Sequence, residues 1–78
     1  MSDLEARLDR CFALVFPDLP DDQIRAASVD DLAAWDSLAG VTLLAVLEEE
    51  FAAPIDPILL PDLTSYTAVL AHLKAIAG

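Results

Sequence analysis

Apolar residues recur at three- and four-residue spacing in three stretches of this chain, and each such stretch predicts a helix. In the first, Leu4, Leu8, Cys11, Phe12 and Val15 make one stripe, with Arg7, Asp9 and Arg10 off it. Ser2 and Glu5 have the spacing of a capping box, and Pro17 ends the helix near Val15 or Phe16. The second helix starts at Asp36 or Ser37 and runs to about Phe51, with Leu43, Leu44, Leu47 and Phe51 facing inward. Leu38, Val41 and Ala45 fall on another side, where a surface helix normally carries polar residues. That outer stripe is either covered by the preceding connection or kept for a partner. The third helix runs from Tyr66 to about Ala77, capped by Thr64 or Ser65. Val69, Leu70, Leu73 and Ile76 form its core stripe, and Lys74 suits its C-terminal end.

What joins these helices is less regular. Residues 17–36 contain Pro17, Pro20 and six aspartates, punctuated by Ile24, Val29, Leu32 and Trp35. The punctuation predicts a connection pinned to the core. Its length predicts a functional loop or a hidden helical turn, for which Ser28 followed by Asp31 is a candidate start. Asp56-Pro57 is a good opening for a short helix, which Pro61 cuts to about one turn or redirects. No strand pattern, glycine-rich loop or repeat appears. The expected fold is all-α: a small four-helix bundle with three longer helices, one short third helix and a long loop between helices one and two. Residues 1–78 form one domain.

Composition sharpens this picture. At 56% hydrophobic, the chain can build a compact core. Its single cysteine allows no internal disulfide, which fits a reducing, cytoplasmic setting. The acidic start Met1-Ser2-Asp3-Leu4-Glu5 is not a signal-peptide pattern. The longest stretch free of charge and proline, Ser37 to Leu47, falls short of the roughly 20 apolar residues that cross a bilayer. Fourteen acids against four bases give a formal net charge of −10. Such a field repels nucleic acid and anionic membrane and attracts a partner with a basic surface. It would equally keep a small apolar protein dispersed. Glu48-Glu49-Glu50 stands in the last turn of the second helix, where the helix dipole disfavours negative charge. Nothing nearby in sequence favours the run, so it reads as a solvated face or a docking patch. A monomer is the default.

Candidate chemistry is sparse. Cys11 lies on an apolar stripe and reads as a buried thiol, and His72 lies among apolar neighbours on the last helix. One histidine and one cysteine assemble no catalytic set and no metal site, and the aspartates lack the spacing of a calcium loop. The chain reads as a non-enzyme. What remains is Trp35-Asp36-Ser37-Leu38 at the start of the second helix. Aspartate and serine both favour an N-cap, but one cap is enough. If Asp36 takes it, the Ser37 hydroxyl is left exposed at a helix N-terminus, where a phosphate is electrostatically welcome.

The run Trp35-Asp36-Ser37-Leu38-Ala39-Gly40-Val41-Thr42-Leu43-Leu44, followed by Leu47-Glu48-Glu49-Glu50-Phe51, resembles the core signature of bacterial acyl carrier proteins. The resemblance extends over nearly the whole chain. It implies an acyl carrier domain with 4′-phosphopantetheine attached covalently to Ser37, flanked by Asp36 and Leu38. It implies a phosphopantetheinyl transferase that uses magnesium, a ligase or transferase that loads an acyl or aminoacyl group, and a downstream synthase or transferase. Val41, Thr42, Ala45, Glu48 and Glu49 would then dock partner enzymes. Many fatty-acid carriers have acids two and five positions after the serine, where this chain has Ala39 and Thr42. Carrier domains of peptide synthetases usually show Gly-Gly-His-Ser-Leu at this point. The pattern is more similar to stand-alone carriers of specialised pathways. The alternative is an acidic helical interaction module with no prosthetic group.

Overall fold

The first apolar stripe winds into α1, Asp3–Val15, and buries Leu8, Cys11 and Phe12 along one side, with Leu4 and Val15 half-buried beside them. The structure is a computed structural model and describes residues 3–77. Ser2 of the expected capping box lies outside the described residues. Burial, and next the charge of Glu50, push the Cys11 thiol up to about 11, so it stays protonated and chemically quiet near neutral pH.

The long connection is more ordered than its composition suggests. A first 3₁₀ helix, Asp21–Ala26, buries Ile24. The turn at Ser28 forms as well, with the Asp31 amide donating to Ser28 Oγ at 3.3 Å, but it does not grow into a helix. The connection is then tied to the chain ahead of the last helix. Val29 N–H donates to the Thr64 carbonyl and Tyr66 N–H to the Ala27 carbonyl, both at 2.9 Å. Of the four apolar residues expected to pin it, Ile24 and Trp35 are buried and Leu32 is half-buried. Val29 is not a core residue; it is 36% exposed.

Helix α2, Ser37–Phe51, buries Leu43, Leu44 and Leu47, and Phe51 is half-buried beneath the Arg7 guanidinium, 4.6 Å from the ring centroid. The second 3₁₀ helix, Pro57–Asp62, starts where Asp56-Pro57 predicts, with Asp56 accepting from the Ile58 amide at 3.0 Å. Pro61 sits inside it and does not end it after one turn. A 3₁₀ helix of six residues has few internal bonds to lose, and the Leu63 amide reaches both the Leu59 and Leu60 carbonyls at 3.1 Å. Helix α3, Tyr66–Ala77, is capped by Ser65, whose hydroxyl accepts from Ala68 N–H at 3.1 Å. Val69 and Leu73 are buried and Leu70 half-buried. Ile76, expected in the same stripe, is 48% exposed because the last turn of α3 is left uncovered among the described residues. The outcome is an all-α fold, with three α-helices and two 3₁₀ helices among the described residues, one more helical segment than the sequence pattern predicts.

An aromatic cluster fills the centre. The Phe12 ring lies 5.4 Å from Trp35, 5.2 Å from Tyr66 and 6.0 Å from Phe16, centroid to centroid. Around it, polar groups clamp α1, the first 3₁₀ helix and α3 together. Tyr66 Oη donates to Asp9 Oδ1 at 2.7 Å, and Arg25 donates to Asp9 and Glu5, each at 2.9 Å. Burial alone would raise the Asp9 carboxyl, but the hydrogen bonds from Arg25 and Tyr66 outweigh it and hold the group below the usual carboxylate range. A lowered folded pKa means the contribution is present above the unfolded value and is lost as pH falls through the folded one. Tyr66→Phe should therefore cost about 1.5 kcal/mol at pH 7, the low end for a bond to a charged group, because Asp9 keeps Arg25. The gap between wild type and variant should narrow below about pH 4, which urea titrations across pH would measure.

One backbone position among the described residues is strained. Ala52, following α2, has φ 51° and ψ 38°, the left-handed conformation that glycine adopts without penalty. Ala52→Gly should raise stability by roughly 0.5–1 kcal/mol, the strain relieved less the added freedom of the unfolded chain. A higher urea midpoint at unchanged slope would register it.

Candidate functional site

The site is built where the connection enters α2. Trp35 is anchored first: its ring packs edge-on against Phe12 and lies 5.6 Å from Phe16, and its amide donates to the Leu32 carbonyl at 2.9 Å. This fixes the next residue. Asp36 is extended, at φ −97° and ψ −172°, and its Oδ1 accepts from Ala39 N–H at 2.9 Å. The Asp36 carbonyl accepts from Gly40 N–H, also at 2.9 Å. Asp36 is thus the cap, and the competition that the sequence leaves open is resolved. Ser37 becomes the first helical residue, exposed, with no hydrogen bond to its hydroxyl among the described residues. The amides of Ser37 and Leu38 are likewise without an acceptor there, as the first turn of a helix dictates.

Beside Ser37 lies a groove of about 320 Å³ between α2, the second 3₁₀ helix and the connection. Val29, Val41, Leu60, Pro61 and Leu63 make it apolar, Asp36 and Ser37 form one edge, and Trp35 and Gly40 line it from within. A smaller space of about 10 Å³ follows inward, bounded by Trp35, Gly40, Leu43, Leu47, Leu60 and Leu63. The sequence pattern did not show this groove, since its walls come from segments far apart in the chain. A second groove, about 310 Å³, lies beyond the end of α1 around Val15, Pro17, Leu19 and Leu32, and no hydroxyl or thiol side chain lines it.

The outer stripe of α2 is uncovered among the described residues. Leu38 is 76% exposed and Val41 53%, Ala45 is exposed, and Ile58 on the second 3₁₀ helix joins them at 75%. Thr42 is exposed too, but its hydroxyl donates to the Leu38 carbonyl at 3.0 Å and serves its own helix. From Ala26 to Leu73 the chain has no lysine or arginine and eight acids: Asp30, Asp31, Asp36, Glu48, Glu49, Glu50, Asp56 and Asp62. Two bases elsewhere, Arg7 and Arg25, are paired with Glu50, Glu5 and Asp9.

The acid run at the end of α2 needs a correction, because the folded chain gives two of its three members partners. Glu48 accepts from the Ile55 amide at 3.1 Å and so fastens the loop after α2. Glu50 binds Arg7 at 2.7 Å, and that arginine also donates to the Glu50 carbonyl. The bond to Arg7 holds the Glu50 carboxyl below its usual range. Only Glu49 is exposed without such a contact among the described residues, which makes it the clean position for testing docking by charge reversal.

Among the described residues no three histidine, cysteine, aspartate or glutamate side chains are arranged to hold a metal ion, and no helix is long and apolar enough to cross a membrane. His72 is half-buried on α3. No family model, curated protein or solved structure matches this chain.

Proposed function

We propose that this chain is an acyl or aminoacyl carrier whose Ser37 accepts a 4′-phosphopantetheine arm, in line with the family that its sequence resembles. The observation that carries the reading is the division of labour at the start of α2. Asp36 does the capping, so Ser37 keeps a free hydroxyl next to two open backbone amides. A phosphodiester formed there meets the positive end of a 15-residue helix.

In the transfer, Ser37 Oγ attacks the pyrophosphate of coenzyme A. A new oxygen–phosphorus bond forms at Ser37, the bond to adenosine 3′,5′-bisphosphate breaks, and the serine proton passes to a base on the transferase. Ser37 is a substrate in this step, so the chain needs no catalytic set of its own. The arm then supplies a terminal thiol that holds the cargo as a thioester. The exposed Leu38, Val41 and Ala45, with Glu49 beyond them, face the transferase, the loading enzyme and the acceptor enzyme. With Ala39 and Thr42 where many fatty-acid carriers have acids, contact near Ser37 is more apolar than charged, which suits a specialised pathway.

The test is to incubate the purified protein with coenzyme A, magnesium and transferases of broad specificity, and to weigh the product. One phosphopantetheine should be added, on the peptide containing Ser37. A protein unmodified by every transferase would refute the carrier reading. The exposed stripe beside an all-acid segment would then favour an interaction module without an arm.

A further inference from the structure

Trp35 is 4% exposed and its ring packs on those of Phe12 and Phe16, yet its indole N–H has no acceptor among the described residues. An unpaired donor sealed in a core would be costly, and no sealed side-chain nitrogen or oxygen lacks a partner among the described residues. The Trp35 N–H therefore keeps a share of that residue's small remaining exposure. Its direction follows from Gly40: a Cβ at that position would stand 3.8 Å from Trp35 Nε1, and both residues line the groove beside Ser37. The groove thus has apolar walls, a tethering hydroxyl on its edge and one buried donor opening into it past the only residue type that has no side chain.

We infer that this donor is a binding subsite for a carbonyl oxygen on an apolar chain tethered at Ser37. The inference deepens the carrier reading and rests on it for the identity of the chain. A carbonyl is the fitting acceptor because the site offers one neutral N–H and apolar walls, whereas a carboxylate would enter a region rich in acids with no cation beside it. Two sources of such a carbonyl exist, an amide of the arm and the thioester of its cargo. Trp35 would act by positioning: a chain bonded there is held along the groove and released when a partner competes for it.

Trp35 is the only tryptophan, so ¹⁵N labelling gives a single indole N–H resonance. Three forms are compared with the unmodified protein: the arm alone, the hexanoyl-loaded arm, and Ser37→Cys alkylated with N-hexyl iodoacetamide. The last needs no transferase, and alkylation is directed because Cys11 is 1% exposed. We expect the indole proton to move downfield and its exchange with water to slow about fivefold, as for a hydrogen bond of ordinary net strength. A response to the bare arm assigns the acceptor to an arm amide; a response only after hexanoyl loading assigns it to the thioester. Gly40→Ala, which meets Nε1 at an ordinary contact distance and so leaves the fold intact, should weaken the response. An unmoved resonance in all three forms, or an undiminished response in Gly40→Ala, would overturn the subsite. Failure of the transferase step alone would count against the carrier reading, while the alkylated variant still decides the subsite.

Discussion

Phe12→Ala is expected to leave the chain without a cooperative thermal transition. Phe12 is wholly buried and touches the rings of Phe16, Trp35 and Tyr66, so it joins α1 to the connection and to α3 at once. Removing a buried phenylalanine side chain costs about 3–5 kcal/mol in lost transfer energy and residual cavity. A single core in a domain this small supplies roughly 3–5 kcal/mol in total, and here no disulfide adds to it. The two quantities cancel, so circular dichroism should show helix content falling gradually with temperature from a low starting value. Phe12→Leu, which keeps most of the volume, should cost about 1–1.5 kcal/mol and retain a transition at lower temperature. The consequence reaches the site, because Phe12 supports Trp35 and Trp35 fixes the extended backbone at Asp36. A Phe12→Ala protein that melts like the wild type would show that the aromatic cluster is not the keystone of this core.

The parts of the fold legible in the sequence are those governed by local rules. Helix α1 ends at Val15 because proline follows at 17, and α2 begins at Ser37 because aspartate caps it. Helix α3 begins after Ser65 for the same reason. Each is a decision made within four residues. The first 3₁₀ helix was hidden because it buries only Ile24, and one buried residue in six makes no stripe. The purposes of Glu48 and Glu50 were hidden for different reasons. Glu50 meets Arg7, 43 residues away in sequence, which no local pattern reports. Glu48 reaches an amide seven residues on, across a left-handed residue that reverses the chain, and neither alanine nor its neighbours advertise such a turn. At the site, the cap and the free hydroxyl were readable as alternatives for Asp36 and Ser37. The groove was not, since Val29, Val41 and Leu60 come from three segments whose packing only the folded chain defines.

Asp36 and Ser37 should come apart in opposite directions when each is replaced by alanine. Asp36 holds the Ala39 amide at 2.9 Å, so Asp36→Ala removes a cap and should cost about 1 kcal/mol of stability. The Ser37 hydroxyl bonds to nothing among the described residues and is exposed, so Ser37→Ala should change stability by less than about 0.5 kcal/mol. On modification the order reverses. Ser37→Ala should accept no phosphopantetheine at all, because the oxygen that would bond to phosphorus is gone. Asp36→Ala keeps that oxygen but frees the Ala39 amide and loosens the first turn, so it should still be modified, more slowly. Urea midpoints and intact mass, measured on the same two samples, test both halves. If Ser37→Ala instead unfolds more readily than Asp36→Ala, the serine is the true cap and the aspartate the spare, and the hydroxyl has a structural duty that competes with carrying an arm. If Ser37→Ala is as stable as wild type and still gains the mass of the arm, the attachment lies on another hydroxyl. The combination of unchanged stability with complete loss of modification has only one source: a side chain that the fold does not use and the chemistry requires.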